Sequence, residues 1–444
     1  MLRKLRITLI AVLALFFYSI FLASSVRNVY LANDGGKGRL GFLVQPLKIL
    51  AEVPSSIKTL LGAPEFYVRN KKESDGFTYF RKKSGTSYPK LLLTYKVKPF
   101  NQLFDLVDLN DGSLIKQWSP DDKELFRMAY NEQNPKKPAP GSDLYFMHPY
   151  MTKDSSLIFS AQLTSLLAKI DKDGKLLWLK NDQIYHHTLE SDGMGHIYSC
   201  TQPFESGKYD CLPGDYSHYK NILQDDHITM LDEVTGEQSY TKSVIQILLD
   251  NGFEKLLLAK GQVISDPIHL NDIQPALSDS DYWKKNDLLI SCRNLSTVFL
   301  YRPSTNKIIW LKSGPWFNQH DVDFVSDHQI SIFGNNIIRE ESANDPKLTS
   351  ENLSFSNKRA HNEVYLYDFA NDSVSRPYHR MMEEEHIRTS TSGRSEILKN
   401  GDVFIEETAN GRIFVGDSIG KKIEFVKRLD ADHISTLFWS RIIN

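Results

Sequence analysis

The sequence lacks the features that would place it in a simple functional class. Its 53 Lys+Arg and 55 Asp+Glu give a net charge of −2 over 444 residues, so no basic surface for nucleic acid is indicated. The 3 cysteines are too few for a disulfide framework, although Cys200 and Cys211 are close enough to close a small loop in an oxidising compartment. Hydrophobic residues at 41 % and charged residues at 24 % exclude disordered and multi-span membrane proteins.

Long apolar runs are also scarce, and the one that stands out is at the N-terminus. Residues 7–23 carry no charge and follow Arg3, Lys4 and Arg6. As a helix the run would cover roughly 26 Å, just short of a hydrocarbon core. Preceding positive charge predicts an inside N-terminus. Residues 1–26 are therefore expected to be a signal anchor, or a signal peptide cleaved at Ala23-Ser24-Ser25, which would place a bacterial protein's body in the periplasm or outside.

From about Tyr88 onward, one pattern recurs six times. It consists of a strand, a turn rich in Asp, Asn and Gly, and a second strand that usually ends in an aromatic residue. The copies span residues 107–118, 170–178, 231–240, 301–310, 367–378 and 415–426. The turn chemistry predicts β-hairpins. Six hairpins repeating about every 60 residues predict an all-β fold, a six-bladed β-propeller that spans residues 88–444.

Two regions do not show the repeat. Residues 27–87 contain short segments of helical pattern at 42–54 and 55–63, so a partly helical linker or brace is expected there. The polar stretch from Arg339 to His361 interrupts the repeat and is interpreted as an inserted loop, a candidate lid.

A second element recurs between the hairpins, where a polar residue opens a strand. Four of its five copies carry histidine: His148-Pro-Tyr, His186-His187-Thr, His269-Leu-Asn271, Gln-His320-Asp and Arg394-Ser-Glu. In a propeller the innermost strand of every blade lines the central channel. The repeat therefore predicts that histidines far apart in sequence meet in one pocket.

Arg293 follows an apolar run in the same part of the chain and is expected to be buried. It either pairs with Asp272 or Asp321, or presents its planar guanidinium to a sulfate, phosphate or carboxylate. Histidines beside an arginine hold one another's pKa down, and a neutral imidazole can accept a sulfuryl or phosphoryl group covalently. Metal binding is the competing use of such a cluster, but an adjacent arginine disfavours a dication, and no metal is predicted.

The segments at 186–198, 266–272, 288–294, 308–316 and 319–322 together resemble the arylsulfotransferase family. These bacterial enzymes move sulfuryl groups from phenolic sulfate esters to phenols without a nucleotide donor. The resemblance covers roughly residues 140–430, and the family fold is a six-bladed propeller.

The resemblance implies roles for the matching residues. His320 would be the nucleophile that forms a sulfohistidine, Arg293 would clamp the sulfonate oxygens, and His269 would stabilise the same charge. His186 or His187, with His187 preferred, would exchange a proton with the phenolic oxygen. Asn271 and His148 are weaker candidates for substrate binding. No cofactor is expected, and the implied partners are an aryl sulfate donor and a phenolic acceptor.

Two other functions remain open at this level. The same His/Arg pocket could serve a sulfate- or phosphate-ester hydrolase, or a non-catalytic propeller that binds an anion or a partner protein. Residues 27–87 do not resemble the small β domain that precedes some family members. Dimer formation through that domain is therefore in doubt, and the oligomeric state is open.

Overall fold

The computed structural model divides into two compact units, Met1–Pro64 and Glu65–Asn444. It describes residues 15–21, 66–69, 74–81, 87–131, 133–134, 143–162, 164–212, 216–220, 222–258, 261, 263–337 and 361–443. Residues 15–21 form a helix, while the rest of the apolar run and the segments 42–54 and 55–63 lie outside the described residues. Of the helices that are described, none has the length and hydropathy to cross a bilayer.

The second unit is the predicted six-bladed β-propeller. Its blades are antiparallel sheets, which we number in chain order and give from the innermost strand outward. Blade 1 contains Arg441–Ile443, Lys90–Lys98, Asn101–Asp108 and Leu114–Trp118; blade 2 contains Phe146–Met151, Leu157–Ala161, Leu167–Ile170 and Leu176–Lys180. Blade 3 contains Ile184–Ser191, His196–Gln202, His227–Asp232 and Gln238–Ser243; blade 4 contains Leu270–Pro275, Leu288–Cys292, Thr297–Arg302 and Lys307–Ser313. Blade 5 contains Asp321–Phe324, Gln329–Gly334, Glu363–Asp368 and Ser373–Ser375; blade 6 contains Arg394–Ile397, Val403–Glu407, Arg412–Gly416, Lys421–Val426 and Gly76–Tyr79.

All six predicted hairpins are present as the third and fourth strands of the blades. Their turns use side-chain hydrogen bonds: in blade 2, Asp171 Oδ1 accepts from the N–H groups of Asp173 and Lys175, at 2.8 and 2.9 Å. Gly174 supplies the positive φ of 84° that this turn requires. The Asp-, Asn- and Gly-rich segments therefore act as turns.

Sequence-distant segments complete the sheets. The strand Arg441–Ile443 pairs with Lys90–Lys98 and closes the ring, because a strand that follows blade 6 in sequence becomes the innermost strand of blade 1. Two strands come from the region 27–87: Gly76–Tyr79 adds to blade 6, and Tyr67–Arg69 pairs with His433–Ser435. The candidate lid lies outside the described residues except for His361.

Helices are few and short in the propeller unit. The α-helices are Asp122–Ala129, Tyr216–Tyr219, Val244–Asp250, Glu254–Leu257 and His379–Glu384, and the 3₁₀ turns are Arg293–Leu295, Pro303–Thr305 and Thr408–Asn410. Asp121 caps the first helix by accepting from the N–H groups of Lys123 and Glu124.

Apolar side chains fill the spaces between the sheets. Phe104 of blade 1 packs against Phe159 of blade 2 with ring centroids 5.1 Å apart. Cys200 and Cys292 are buried in the cluster between blades 3 and 4, and Cys211 packs against it. All three cysteines are free thiols, so the suggested Cys200–Cys211 loop does not form. A buried cysteine here acts as a small apolar side chain.

Carboxylates fasten each inner strand to the next blade. Asp226 Oδ2 accepts from the Leu270 N–H at 2.7 Å, and Asp272 Oδ2 accepts from the Val322 N–H at 2.8 Å. Asp321 Oδ2 accepts in turn from the Ser395 N–H at 2.9 Å. Because these bonds are buried, they fix the relative positions of the strands that carry the candidate site.

Candidate active site

A cavity of about 220 Å³ opens where the innermost strands begin. Its lining residues are Met147, His148, Ser160, Gln162, His186, His187, His269, Arg293, His320, Thr391 and Ser392. The predicted convergence of histidines from blades 2, 3, 4 and 5 is therefore present, and Arg293 joins them. Asn271 is not among the described lining residues.

An unusual backbone conformation aims several of these histidines into the cavity. His148, His187 and His269 have positive φ angles of 54, 52 and 51°. The strand register shifts at the first two, between Met147 and Tyr150 and again between His186 and Leu189. Such bulges turn a side chain out of the sheet pattern, and non-glycine residues adopt this backbone only where the surroundings impose it. The repeat thus builds the pocket by the same local distortion in successive blades.

The imidazole rings lie close together in space. The ring centroid of His187 is 5.3 Å from that of His269 and 6.2 Å from that of His320. His148 lies 5.8 Å from His187 on the other side and packs against Trp439 at 4.3 Å. His187 is therefore at the centre of the histidine cluster.

His320 is oriented by Asn335, a residue that the sequence analysis did not identify. The Asn335 amide nitrogen donates to the carbonyl groups of Thr389 and Ser392, at 3.0 and 2.8 Å. Its oxygen must therefore face His320 Nδ1, which lies 2.5 Å away. An acceptor at that position requires a proton on Nδ1. The other nitrogen, Nε2, keeps its lone pair and is available to the cavity.

His269 and Arg293 form a second fixed pair. Asp266 Oδ2 lies 2.6 Å from His269 Nδ1, which orients the ring and favours a proton on Nδ1. The Arg293 backbone N–H donates to the His269 carbonyl at 3.1 Å. Arg293 Nη1 donates to Asn294 Oδ1 at 2.9 Å, and the side chain is buried. A buried guanidinium beside an imidazole on an aspartate is suited to an anion.

His186 connects His187 to a buried carboxylate. The Nδ1 atoms of His186 and His187 are 2.7 Å apart, so one of them carries the shared proton. His186 Nε2 lies 3.3 Å from Asp226 Oδ1, which favours a proton on that nitrogen. His186 Nδ1 then accepts from His187 Nδ1, and His187 Nε2 carries the lone pair. This arrangement suits His187 to exchange a proton within the cavity.

Burial and neighbouring charge lower the pKa of three cavity histidines, which favours the neutral imidazole. Burial lowers the pKa of His320 well below its usual range, and the Arg293 guanidinium and His269 lower it further. Burial likewise lowers the pKa of His187, with added effects from His186 and His269. The pKa of His148 is also lowered by burial, and next by Arg441 and Arg394. Neutral imidazole is the nucleophilic form.

Asn271 makes a contact between blades 4 and 5. It is fully buried, and its amide nitrogen donates to the Gln319 carbonyl at 2.6 Å. It thereby holds the residue next to His320 from the neighbouring blade. Its substrate-binding role stays a prediction, whereas its contact with the loop that carries His320 is observed.

Two site residues that the sequence did not reveal, Gln162 and Asn335, occupy the same position in their blades as Arg293. Gln162, Arg293 and Asn335 each come directly after the second strand of their blade. Only Arg293 was recognised, because its charge follows an apolar run. Asp226, Thr391 and Ser392 occupy loops without a repeat pattern, and their contribution depends on how the blades pack.

The cavity also contains three potential metal ligands. One nitrogen from each of His187, His269 and His320 lies within 4.8 Å of the others. These imidazoles could hold a transition metal ion. Arg293 lines the same cavity, however, and a guanidinium repels a dication while attracting an anion. The complete set of side chains therefore fits an anion better than a metal.

Solved structures with a related shape are distant from this chain. A protein of unknown function from Bacteroides caccae has 10 % identity, a TM-score of 0.46 and coverage of 79 % of this chain and 98 % of its own. Hydrazine synthase of Kuenenia stuttgartiensis has 9 % identity, a TM-score of 0.39 and coverage of 77 % and 80 %. Virginiamycin B lyase from Staphylococcus aureus has 9 % identity, a TM-score of 0.34 and coverage of 66 % and 73 %. At these values the similarities carry no argument about function.

No curated protein matches the sequence at a significant level. A family model does match: Arylsulfotransferase (ASST), over residues 148–428. The matched region begins at the first cavity histidine and includes every residue that lines the cavity except Met147. It also contains the orienting residues Asp226, Asp266 and Asn335. The chain therefore belongs to the arylsulfotransferase (ASST) family.

Proposed function

We propose that this protein transfers a sulfuryl group from an aryl sulfate ester to a phenolic acceptor in two steps, through a sulfohistidine on His320. The observation that carries the proposal is the bond between His320 Nδ1 and Asn335, which leaves Nε2 with its lone pair in a cavity shared with Arg293. A nucleophile of fixed tautomer beside a buried cation is the arrangement that covalent transfer of an anionic group needs.

In the first step, the His320 Nε2 lone pair attacks the sulfur atom of the donor. An N–S bond forms, and the bond between sulfur and the aryl oxygen breaks, with its electron pair leaving on oxygen. The aryl oxygen leaves as a phenolate and takes its proton from water, because the cavity nitrogen of His187 carries a lone pair in the arrangement described above. His187 is thereby ready to act as the base of the second step.

In the second step, an acceptor phenol occupies the place of the first product. His187 removes the phenolic proton, the oxygen attacks sulfur, and the N–S bond breaks with its electron pair returning to Nε2. His187 then gives this proton up to water, and the site is restored. Because one product leaves before the second substrate enters, the kinetics are expected to be ping-pong.

Arg293 and His269 supply the electrostatic part of the reaction. A sulfuryl group, like a phosphoryl group, is expected to pass through a loose transition state in which positioning and charge dominate. The guanidinium would hold two sulfonate oxygens, and His269, oriented by Asp266, would hold a third. Both side chains are fixed before substrate arrives, so little reorganisation is needed.

The direct test is the intact mass of the full chain after brief incubation with 4-nitrophenyl sulfate. We expect a gain of one SO3 group that maps to His320 and disappears when a phenol is added. His320→Ala should show no gain, whereas the control His196→Ala should behave as wild type. His196 contacts Asp192 at the turn between the first two strands of blade 3 and is not among the described residues that line the cavity.

The other outcomes distinguish the competing functions. Release of 4-nitrophenol with inorganic sulfate, and no product on an added phenol, would show a sulfate-ester hydrolase. Neither release nor a mass gain with any aryl sulfate tested would overturn the proposal in favour of an anion-binding propeller.

We also propose that residues 1–26 direct the propeller across the bacterial inner membrane, as an anchor or as a cleaved signal. The support is the uncharged run at 7–23 behind three basic residues. Protease added to intact spheroplasts should digest the protein, and N-terminal sequencing of the mature chain would separate the two forms. Full protection until the cells are lysed would contradict this placement.

A further inference from the structure

A second cluster of potential metal ligands lies outside the cavity. It consists of His361, Glu363 at the start of the third strand of blade 5, and His379 at the start of the helix that follows that blade. His361 Nε2 is 3.2 Å from His379 Nδ1, and Glu363 Oε2 is 2.6 Å from that Nδ1. Glu363 Oε2 is 3.4 Å from His361 Nε2, so three donor atoms from three chain positions meet in a triangle.

The dimensions of the triangle suit a four-coordinate ion. A tetrahedral zinc ion with bonds of about 2.0 to 2.1 Å keeps its ligand atoms about 3.3 Å apart. Two sides of the triangle already have this length, at 3.2 and 3.4 Å. The third, at 2.6 Å, is a hydrogen bond that must open by a small rotation of the Glu363 carboxylate.

Hydrogen bonds among the three side chains do not satisfy all of their polar atoms. A neutral imidazole carries one N–H, so His379 Nδ1 cannot donate to Glu363 and also accept from His361. If both imidazole nitrogens carry protons, both N–H groups must share the single oxygen Oε2 of Glu363. Glu363 is 1 % exposed, and its other oxygen, Oε1, is buried without a hydrogen-bond partner among the described residues. A cation at the centre would use all three lone pairs at once.

The surroundings provide an outer partner for such an ion. His379 Nε2 lies 3.9 Å from Glu383 Oε2, one turn along the same helix. A histidine that binds metal through one nitrogen commonly directs its other N–H to a carboxylate, which fixes the ring and raises its basicity. The His379 side chain is 36 % exposed, so water can reach the remaining coordination position.

We propose that His361, Glu363 and His379 bind one zinc ion through two imidazole nitrogens and one carboxylate oxygen, with water completing the tetrahedron. The ion would join the helix His379–Glu384 to the third strand of blade 5. It is separate from the sulfuryl-transfer cavity, since none of its ligands lines that cavity among the described residues. Its role is therefore structural.

Arg376 is the neighbouring group that opposes the ion. Its Nη1 lies 3.8 Å from Glu363 Oε2, and its side chain is 52 % exposed. An exposed arginine can move into solvent when a dication binds. Replacing it with Gln should therefore tighten zinc binding, which is a result that a purely hydrogen-bonded cluster would not give.

The experiment is a zinc titration of the full chain after treatment with a chelator, with equilibrium dialysis for stoichiometry and thermal unfolding for stability. We expect ZnCl2 to raise the melting temperature of the wild type. His379→Ala and His361→Ala should each lose one bound ion and this rise. Glu383→Gln should weaken binding by about tenfold, as loss of an outer partner does.

Two controls make the result specific. His328→Ala changes another partly exposed histidine of blade 5, which also contacts carboxylates, and should bind as the wild type does. His320→Ala measures any zinc held by the cavity histidines and should keep the ion assigned here. If a ligand variant fails to fold, Glu363→Gln provides the same test with the shape of the side chain preserved.

The proposal fails if the chelator-treated wild type binds no zinc, or if the ion it binds is retained in His379→Ala, His361→Ala and Glu363→Gln. Zinc lost in His320→Ala but kept in His379→Ala would assign the metal to the cavity and overturn the proposal. The aryl sulfotransferase assay is independent of both results.

Discussion

The innermost strands carry imidazoles where they begin and carboxylates three residues later. His187 is followed by Glu190, His269 by Asp272, and His320 by Asp323. We refer to the cavity side chains His148, His187, His269, His320 and Arg293 as the cavity layer. The carboxylate layer contains Glu190, Asp272, Asp321, Asp323, Glu396, Arg394 and Arg441. Apart from Arg293, which follows the second strand of blade 4, the members of both layers lie on or next to the innermost strands. One layer is rich in imidazoles and the other in carboxyl groups.

Burial shifts the pKa values of the histidines in one layer and of the carboxyl groups in the other in opposite directions. It lowers the pKa of His320, and Arg293 adds to that effect. It raises the pKa of Asp272 and Asp323, and neighbouring carboxylates add to that effect. Both shifts favour neutral side chains, because an ionised group loses solvation in the interior. The arginines keep their charge in both layers, so Arg293 becomes the fixed cation of the cavity.

The comparison predicts that the residues of the cavity layer perform the sulfuryl transfer. The substitution His320→Ala is expected to have the largest effect on it. Loss of the nucleophile should lower the rate of sulfuryl transfer by at least about 10³-fold, as removal of other covalent nucleophiles does. Initial rates with 4-nitrophenyl sulfate and a phenol would measure it. A variant that keeps wild-type turnover would show that another residue forms the intermediate.

Arg293→Gln should have the next largest effect, because it removes the fixed cation while keeping a polar side chain. We expect kcat/KM to fall by about 10² to 10³-fold, as on loss of one transition-state donor. Arg293→Lys should recover part of the loss, since it restores charge without the planar fork. Equal rates for Gln, Lys and Arg would mean that this side chain does not contact the sulfonate.

Asn335→Asp places a negative charge beside His320. The new carboxylate can still accept from His320 Nδ1, although it loses the two N–H bonds to the Thr389 and Ser392 carbonyls. Its negative charge favours the imidazolium and should raise the pKa of His320. The acid limb of the kcat/KM profile should therefore move to higher pH, with a fall of about tenfold near neutral pH. An unchanged pH profile would show that His320 does not face this position.

Substitutions in the carboxylate layer should affect stability more than activity. Asp323→Asn is expected to have the smallest effect of the substitutions considered. Because the pKa of Asp323 is raised on folding, its contribution to stability is full at low pH and is lost as pH rises through the folded pKa. The neutral amide avoids that loss and can still accept from Gln274 Nε2, which lies 2.9 Å from Asp323 Oδ1. The melting temperature should rise by about 1 to 3 °C at alkaline pH and little at pH 5.

Two measurements would contradict this expectation. A melting temperature that falls equally at both pH values would indicate that Asp323 is ionised and needed for packing. A large loss of sulfuryl transfer would place it in the reaction. The matched control is Asp327→Asn, on an exposed turn of the same blade.

Much of the fold could be predicted from the sequence because its signals are local. Each hairpin turn carries its own Asp and Gly residues, as at Asp171 and Gly174, so six hairpins could be counted without knowing how they pack. The histidines could be grouped because they occupy one position of the repeat. Their convergence then follows from the geometry of a propeller.

The remaining features depend on contacts between blades, which no local pattern records. Asn335 has no charge and no motif, and it matters only because Thr389 and Ser392 of the next blade fix its amide. Asn271 looked like a ligand-binding residue from its position two residues after His269. The bulge of that strand turns it toward the Gln319 carbonyl. Strand alternation alone could not predict this, because a bulge reverses it locally.

The closing strand Arg441–Ile443 has a consequence for the order in which the protein is built. It pairs with residues near position 91, so the ring joins segments about 350 residues apart. The entropic cost of so long a loop exceeds that of a single blade by only about 1.5 kcal/mol, because it grows with the logarithm of length. The greater constraint is timing during synthesis. A growing chain can form the intermediate blades as they emerge, but blade 1 lacks its inner strand until residues 441–443 have left the ribosome. Trp439, which packs against His148, arrives in the same few residues. His148 therefore gains this contact only after the strands of every blade have been synthesised.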